Sequence, residues 1–286
     1  MRRGRRFLAV GGIVVLLISV MAGSLAVYRA QKEHGRAISG FGDIDHPDRV
    51  DLYVWVIRID AAAQQVALQI TPTPQGRFAN SGGTFTADLL VYGSGQRADP
   101  IKVAAGEQIP SFDRTIAMGG GGMITDYPFD KYDADLGFVA EIDGAAVPVV
   151  VQAQNGDAFF TVTPQWHDTA QPIGQVGLML HITRSPAAQI FAIFVMVLML
   201  GLALAAAIVG YYLITRQRVI VIPAYTFLAA LLFALIPLRN AVPASPPIGS
   251  IIDFTSFFPA EAIIALTLIV AVIHGYRSEV RAAESA

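Results

Sequence analysis

The chain has 286 residues, 54% hydrophobic and 15% charged, with 20 Lys+Arg against 22 Asp+Glu and a mean hydropathy of +0.53. Soluble domains carry about 25% charged residues, so this balance excludes a fully solvated globular protein. No cysteine is present, which excludes disulfide bracing, thiolate catalysis and Cys-ligated metal.

In chain order, the first element is an apolar run from Phe7 to Tyr28. Ser24-Leu25-Ala26 offers small residues for signal cleavage, but the apolar core exceeds the usual ~7–15 residues of a signal peptide. A retained transmembrane anchor is expected, giving a first segment of 1–28. Ala30 to Arg49 is polar and glycine-rich and reads as a tether. Asp43, Asp45, Asp48 and Asp51 surround His46 but lack the glycine and terminal Glu of a calcium loop, so they read as solvated linker charges.

Val50 to Asp60 is rich in β-branched and aromatic residues and reads as a well-buried strand. Ala61 to Gln64 turns the chain, and Val66, Leu68 and Ile70 alternate with Ala67, Gln69 and Thr71 as the return strand of a hairpin. Pro72 and Pro74 are expected to end it. Further strands are expected at 87–92, 115–118, 136–142, 147–154, 158–163 and 175–183. Gly93-Ser94-Gly95, Asp143-Gly144 and Asn155-Gly156-Asp157 supply the turns. No stretch of this block sustains a 3.6-residue apolar period. Seven to nine short strands predict an antiparallel, Ig-like β-sandwich over residues 29–186.

Three more apolar runs follow: Ile190 to Ile214, Val219 to Leu238, and one that ends at Ile273 and begins between Ile251 and Phe257. Each run approaches the roughly 20 residues that cross a bilayer as a helix, so 187–286 reads as a three-helix transmembrane bundle. The fold class is thus an α+β membrane protein. Arg2, Arg3, Arg5 and Arg6, then Arg216 and Arg218, then Arg277 and Arg281 flank the runs, and the positive-inside rule assigns all three groups to the cytoplasm. Four crossings from a cytoplasmic N-terminus return the C-terminus to the cytoplasm and leave 29–186 outside the plasma (inner) membrane. Tyr28, Tyr211, Tyr212 and Tyr276 fall at the two interfaces, where aromatic residues collect. Residues 29–186 hold 11 basic against 18 acidic residues, a net charge of −7, which argues against nucleic acid as a partner.

Within the second run Gly201, Ala205, Ala206 and Gly210 form small-xxx-small pairs that let helices approach closely. Packing of the chain's own helices is expected from them. In the third run Pro223 lies in the first turn and Pro237 is expected to stop the helix. The connection from Leu238 to Glu261 carries Arg239, Asp253 and Glu261 at the membrane boundary, where ionisable groups are costly and point to function. Two readings of the fourth helix are open. A start near Ile251 puts Glu261 near mid-membrane with a kink at Pro259. A start at Pro259 uses that proline best, sets Glu261 in the first turn, and leaves Ile248 to Phe258 as a re-entrant or interfacial segment. Arg239 is the counter-charge for Asp253 or Glu261, and a structural latch is the expected role.

Tyr127-Pro128-Phe129-Asp130-Lys131-Tyr132 is the other candidate. Its Tyr-Pro-Phe-Asp resembles the aromatic-Pro-Phe-Asp core of the signature loop of pentameric ligand-gated channels. The flanking cysteines of that family are missing here. The resemblance implies a domain–membrane coupling loop, with Tyr127, Pro128, Phe129, Asp130 and Tyr132 facing the 238–261 segment. The alternative is a proline turn with Tyr127 and Phe129 plugged into the sandwich. Taken whole, the anchor, the β-rich block with Tyr-Pro-Phe-Asp-x-Tyr, and three spans with Leu-Arg-Asn and Pro-Pro-Ile-Gly before Asp253 resemble a family of four-span membrane proteins catalogued only as a domain of unknown function. That resemblance implies topology and no activity.

His34, His46, His167, His181 and His274 show no metal spacing, and Gly119 to Gly122 lacks the Lys-Ser/Thr of a phosphate loop. No catalytic residue, metal or cofactor is expected. The preferred expectation is a non-enzymatic accessory or scaffold subunit of a cell-envelope membrane complex, handling lipid or solute transport, with other membrane proteins and membrane lipids as partners. The alternatives are a component of a channel-like receptor, and a proton-coupled carrier or membrane enzyme using Glu261, Asp253 and Arg239.

Overall fold

The computed structural model describes residues 22, 23, 25, 26, 29, 39–94, 99–166, 174–215 and 222–284. The expected first span lies largely outside them, as do Arg2, Arg3, Arg5, Arg6, Arg216 and Arg218; of that span Ala22, Gly23, Leu25 and Ala26 are helical. The chain divides into two compact units. Among the described residues, a β unit comprises those up to 123 together with those of 131–187, and a helical unit comprises 124–130 together with those from 188 on.

Two-residue alternation builds the β unit. Its strands are β1 (Ser39–Gly42), β2 (Val50–Asp60), β3 (Gln65–Pro74), β4 (Leu89–Gly93), β5 (Ile101–Val103), β6 (Phe112–Ala117), β7 (Lys131–Ile142), β8 (Ala145–Val147), β9 (Val149–Asn155), β10 (Phe160–Trp166) and β11 (Gln175–Arg184). They form two sheets, ordered β1-β9-β2-β3-β6 and β10-β11-β7-β4-β5, with β8 beside β7. Along β7, Tyr132, Ala134, Leu136, Phe138, Ala140 and Ile142 are buried, and along β11 Val176, Leu178, Leu180 and Ile182. Each sheet buries one such face, as a sandwich requires.

Several expectations need correction. The pairing is not purely antiparallel, because β2 and β9 run parallel from Val50↔Val149 to Val56↔Asn155. The stretch read as a tether supplies β1, which pairs with β9, and β5 was missed because three residues carry too little periodicity. The corner after β1 is ordered: Arg49 donates to Asp51 at 2.7 Å and to the Ile44 and His46 carbonyls. Pro72 does not end β3, which stays paired with β2 as far as Val50↔Pro74; Pro74 is its last residue, as expected. Its pairing with β6 stops at Ile70, so beyond that point β3 is an edge, where proline's missing N–H costs no ladder bond.

Turn chemistry follows the sequence closely. Asp60 Oδ1 accepts from the Ala62 and Ala63 N–H groups in the β2–β3 turn. Asp143 and Gly144 both take positive φ, 50° and 73°, the turn that suits a tight hairpin.

The helical unit holds α1 (Pro186–Thr215, its first two residues assigned to the β unit), α2 (Ile222–Asn240), a π-helical turn (Asp253–Phe257) and α3 (Phe258–Glu284). All three helices are long and apolar enough to cross a membrane. Pro237 does not stop α2, which runs on to Asn240. Leu228 and Leu235 of α2 and Ala260, Ile264 and Ala271 of α3 are buried in one cluster, and the Tyr225 hydroxyl donates to the Ala271 carbonyl at 3.3 Å.

Gly42, at φ 126°, has no room for a side chain: a Cβ would stand 2.2 Å from the Val149 carbonyl oxygen. Gly42→Ala is expected to destabilise the protein by about 1–3 kcal/mol through lost β1–β9 pairing. Gly119→Ala, with nothing within 4 Å of the new methyl, is expected to be near neutral. Thermal unfolding followed by tryptophan fluorescence compares the two.

Candidate functional site

The 238–261 connection concentrates charge in the helical unit. Arg239 sits in the last turn of α2, where the helix dipole favours a cation. The chain then loops back and becomes helical again at Ile251. Asp253 follows Ser250 at the spacing of a capping box, and its Oδ2 accepts from the Gly249 N–H at 2.8 Å and the Ser250 N–H at 3.1 Å.

Arg239 meets this carboxylate as a fork: Nε donates to Oδ1 and Nη2 to Oδ2, both at 2.8 Å. Nη1 donates to the Pro246 carbonyl at 2.9 Å and Nη2 to the Pro247 carbonyl at 3.0 Å. Asp253 is fully buried and the Arg239 side chain 7% exposed. A buried pair holds only when its remaining polar valences are filled, and here backbone groups fill them on both sides. Ser250 Oγ adds a bond to the Pro247 carbonyl at 2.5 Å.

The clasp holds a strained loop. Ala244 and Ser245 take φ of 63° and 39°, each costing about 1–2 kcal/mol for a residue with a Cβ. Ser245 also precedes Pro246, whose ring restricts it further. Such strain persists only where surrounding contacts over-determine it, and the two prolyl carbonyls bound by Arg239 are those contacts.

The fourth expected helix therefore begins at Ile251, as the first of the two readings has it, and not at Pro259, so residues 251–258 are its opening turns. Phe258 N–H bonds to the Asp253 carbonyl five residues back, closing the π turn immediately before Pro259. The wider turn shifts the ladder where proline has no donor to give, so the helix continues through it. Glu261 consequently lies about 15 Å along the helix from Ile251, at 1.5 Å per residue. It is half-buried, and its Oε1 is buried with no hydrogen-bond partner among the described residues. Arg239 is not its partner.

The structure divides the 127–132 loop. Residues 124–130 belong to the helical unit. There Tyr127 is fully buried in the cluster that holds Val195 and Met199 of α1, Leu235 of α2, Val242 of the connection and Ile252. The Pro128 carbonyl accepts from Gln189 Nε2 at 3.4 Å, Asp130 is buried, and Phe129 is 50% exposed. Neither aromatic plugs the sandwich. Tyr132 belongs instead to β7 in the β unit, edge-on to Phe160 at 6.5 Å.

The small residues of α1 divide too. Ala206 and Gly210 are buried, and a Cβ on Gly210 would lie 2.2 Å from Thr267 Cγ2 of α3, so this pair packs the chain's own helices. Gly201 and Ala205 are exposed, with nothing within 4 Å of a Cβ at Gly201. No group of three or more His, Asp and Glu able to hold a metal occurs among the described residues. His181 has Nδ1 2.6 Å from Asp133 Oδ1 and Nε2 3.2 Å from Gln165 Oε1.

The reading from sequence overlooked Ser250, Gly249 and the prolyl carbonyls. Ser250-x-x-Asp253 was the available signal, since a capping box there marks the start near Ile251 over the one at Pro259.

Residues 40–181 match the family described as Domain of unknown function (DUF4436), and residues 184–278 match the one described as Domain of unknown function (DUF8686). No curated protein matches the chain.

Arg239→Ala leaves a buried carboxylate unpaired and is expected to cost about 3–5 kcal/mol, whereas Arg239→Met with Asp253→Leu recovers most of the loss. Unfolding of the detergent-solubilised protein measures both. Gly210→Ala is expected to destabilise by ~1–3 kcal/mol through overpacking against Thr267, with rescue by Thr267→Ala. Gly201→Ala is expected to change nothing in the same assay.

Proposed function

We propose that this protein is a four-span accessory or scaffold subunit of a membrane complex in the cell envelope. In this reading the β unit lies on the extracytoplasmic side of the plasma (inner) membrane and both termini are cytoplasmic. The observation that carries the reading is Glu261. At membrane depth an orphan polar atom costs several kcal/mol, so the Oε1 of Glu261 calls for a donor, and the described residues supply none. A Ser, Thr, Asn, Lys or Arg on a neighbouring protein's helix satisfies it. The charge pair supports the same view: Arg239 and Asp253 are committed to closing the loop, which suits a rigid element better than a working one. The two matched families are both of unknown function and supply no activity.

Purification from native membranes in a gentle detergent is expected to recover stoichiometric partners with the wild-type protein. Glu261→Leu is expected to lose them while the melting temperature holds, and Glu261→Gln, which still accepts and donates hydrogen bonds, to keep them. A lone wild-type monomer overturns the proposal. The same orphan oxygen supports a second reading, a proton-coupled carrier. That reading requires Glu261→Gln to abolish proton uptake into proteoliposomes.

A further inference from the structure

On β2 the buried face is Val50, Leu52, Val54 and Val56, and the opposite face presents Tyr53 and Trp55. Trp55 is 42% exposed. The register puts Gln69 of β3 directly opposite it on one side and Gln154 of β9 on the other. Directly paired residues stand about 5 Å apart, so one indole lies between two primary amides. The Tyr53 ring lies edge-on at 6.4 Å, and the Tyr53 hydroxyl bonds to Gln154 Oε1. That bond occupies the carbonyl of the amide and neither of its two N–H donors. Gln69 Nε2 is held by Asp113 Oδ1 at 3.3 Å.

The indole is positioned by backbone. A Cβ on Gly156 would stand 2.2 Å from Trp55 Nε1 and 2.9 Å from Cε2, and the Gly156 N–H bonds to the Val56 carbonyl at 2.9 Å. Glycine therefore lets the Asn155–Asp157 turn close against the edge of the ring. An exposed tryptophan with a fixed ring is preorganised for a flat partner.

We propose that this sheet face binds a neutral glycan chain. A pyranose ring has an apolar C–H face that covers an indole, and rim hydroxyls that both donate and accept, which flanking amides match. The groups directly opposite Trp55 carry no charge. The nearby carboxylates are engaged, Asp113 with Gln69 and Asp51 with Arg49 at 2.7 Å, and Arg58 lies beyond the bulge in β2. With a net charge of −7 over residues 29–186, the surrounding field disfavours anionic ligands. A lipid-headgroup site would set basic residues around the aromatic ring, and amides stand there instead.

The test uses the full chain in lipid nanodiscs, because maltoside detergents carry the sugar face that is being probed. Cellohexaose, maltohexaose and chitohexaose are titrated in turn, read by tryptophan fluorescence and calorimetry. At least one hexasaccharide is expected to bind saturably. Trp55→Ala is expected to lower its affinity about tenfold or more, Trp55→Phe to retain part of it, and Gly156→Ala to weaken it by displacing the ring. Trp166→Ala is expected to bind like wild type, and the melting temperature of Trp55→Ala to be unchanged. Absence of binding to all three saccharides overturns the proposal, as does equal binding by Trp55→Ala. Trp55-dependent binding to phosphatidylglycerol vesicles without sugar binding overturns it in favour of a lipid surface.

Discussion

A guanidinium and a carboxylate removed from water each lose several kcal/mol of hydration before they attract one another. In the helical unit that loss is offset by geometry, because Asp253 accepts from both edges of the Arg239 fork and from two backbone N–H groups. Arg239 in turn ties down the two prolyl carbonyls. The pair thereby sets three things at once: the end of α2, the strained loop through Ala244 and Ser245, and the starting residue of the next helix. Since each residue turns a helix by about 100°, the extra residue of the π turn decides which side chains of α3 face inward. Ala260 and Ile264 are buried on that account, and Glu261 falls between buried and exposed faces.

The β unit meets a different constraint. Without cysteine its stability rests on packing and ladder bonds, and the alternation of β2, β3, β7 and β11 supplies a continuous buried face in each sheet. Alternation also leaves an opposite face whose composition is free to serve another purpose. Around Trp55 that face is aromatic and amide-rich, and the glycine of a neighbouring turn controls the ring.

The two family matches meet between residues 181 and 184, at the end of β11, so the strand region and the helical region are matched separately. One short stretch crosses that division. Residues 124–130 lie within the first match, yet Tyr127 is buried in the helical cluster. Tyr132, two residues beyond the stretch, is already part of β7.

Residue order alone determined the apolar runs, most strands and the turns at Asp60 and Asp143, because each depends on neighbours within a few positions. It also named Arg239 and its two acidic candidates. Only tertiary structure chose Asp253 over Glu261, since that choice depends on where the helix begins, and a π turn, set by contacts fourteen residues apart, overrode the local preference of Pro259. The parallel β2–β9 pair and the burial of Tyr127 among helices were likewise hidden. Each joins segments far apart in the chain, and long-range pairing leaves no periodic mark on the residues that take part.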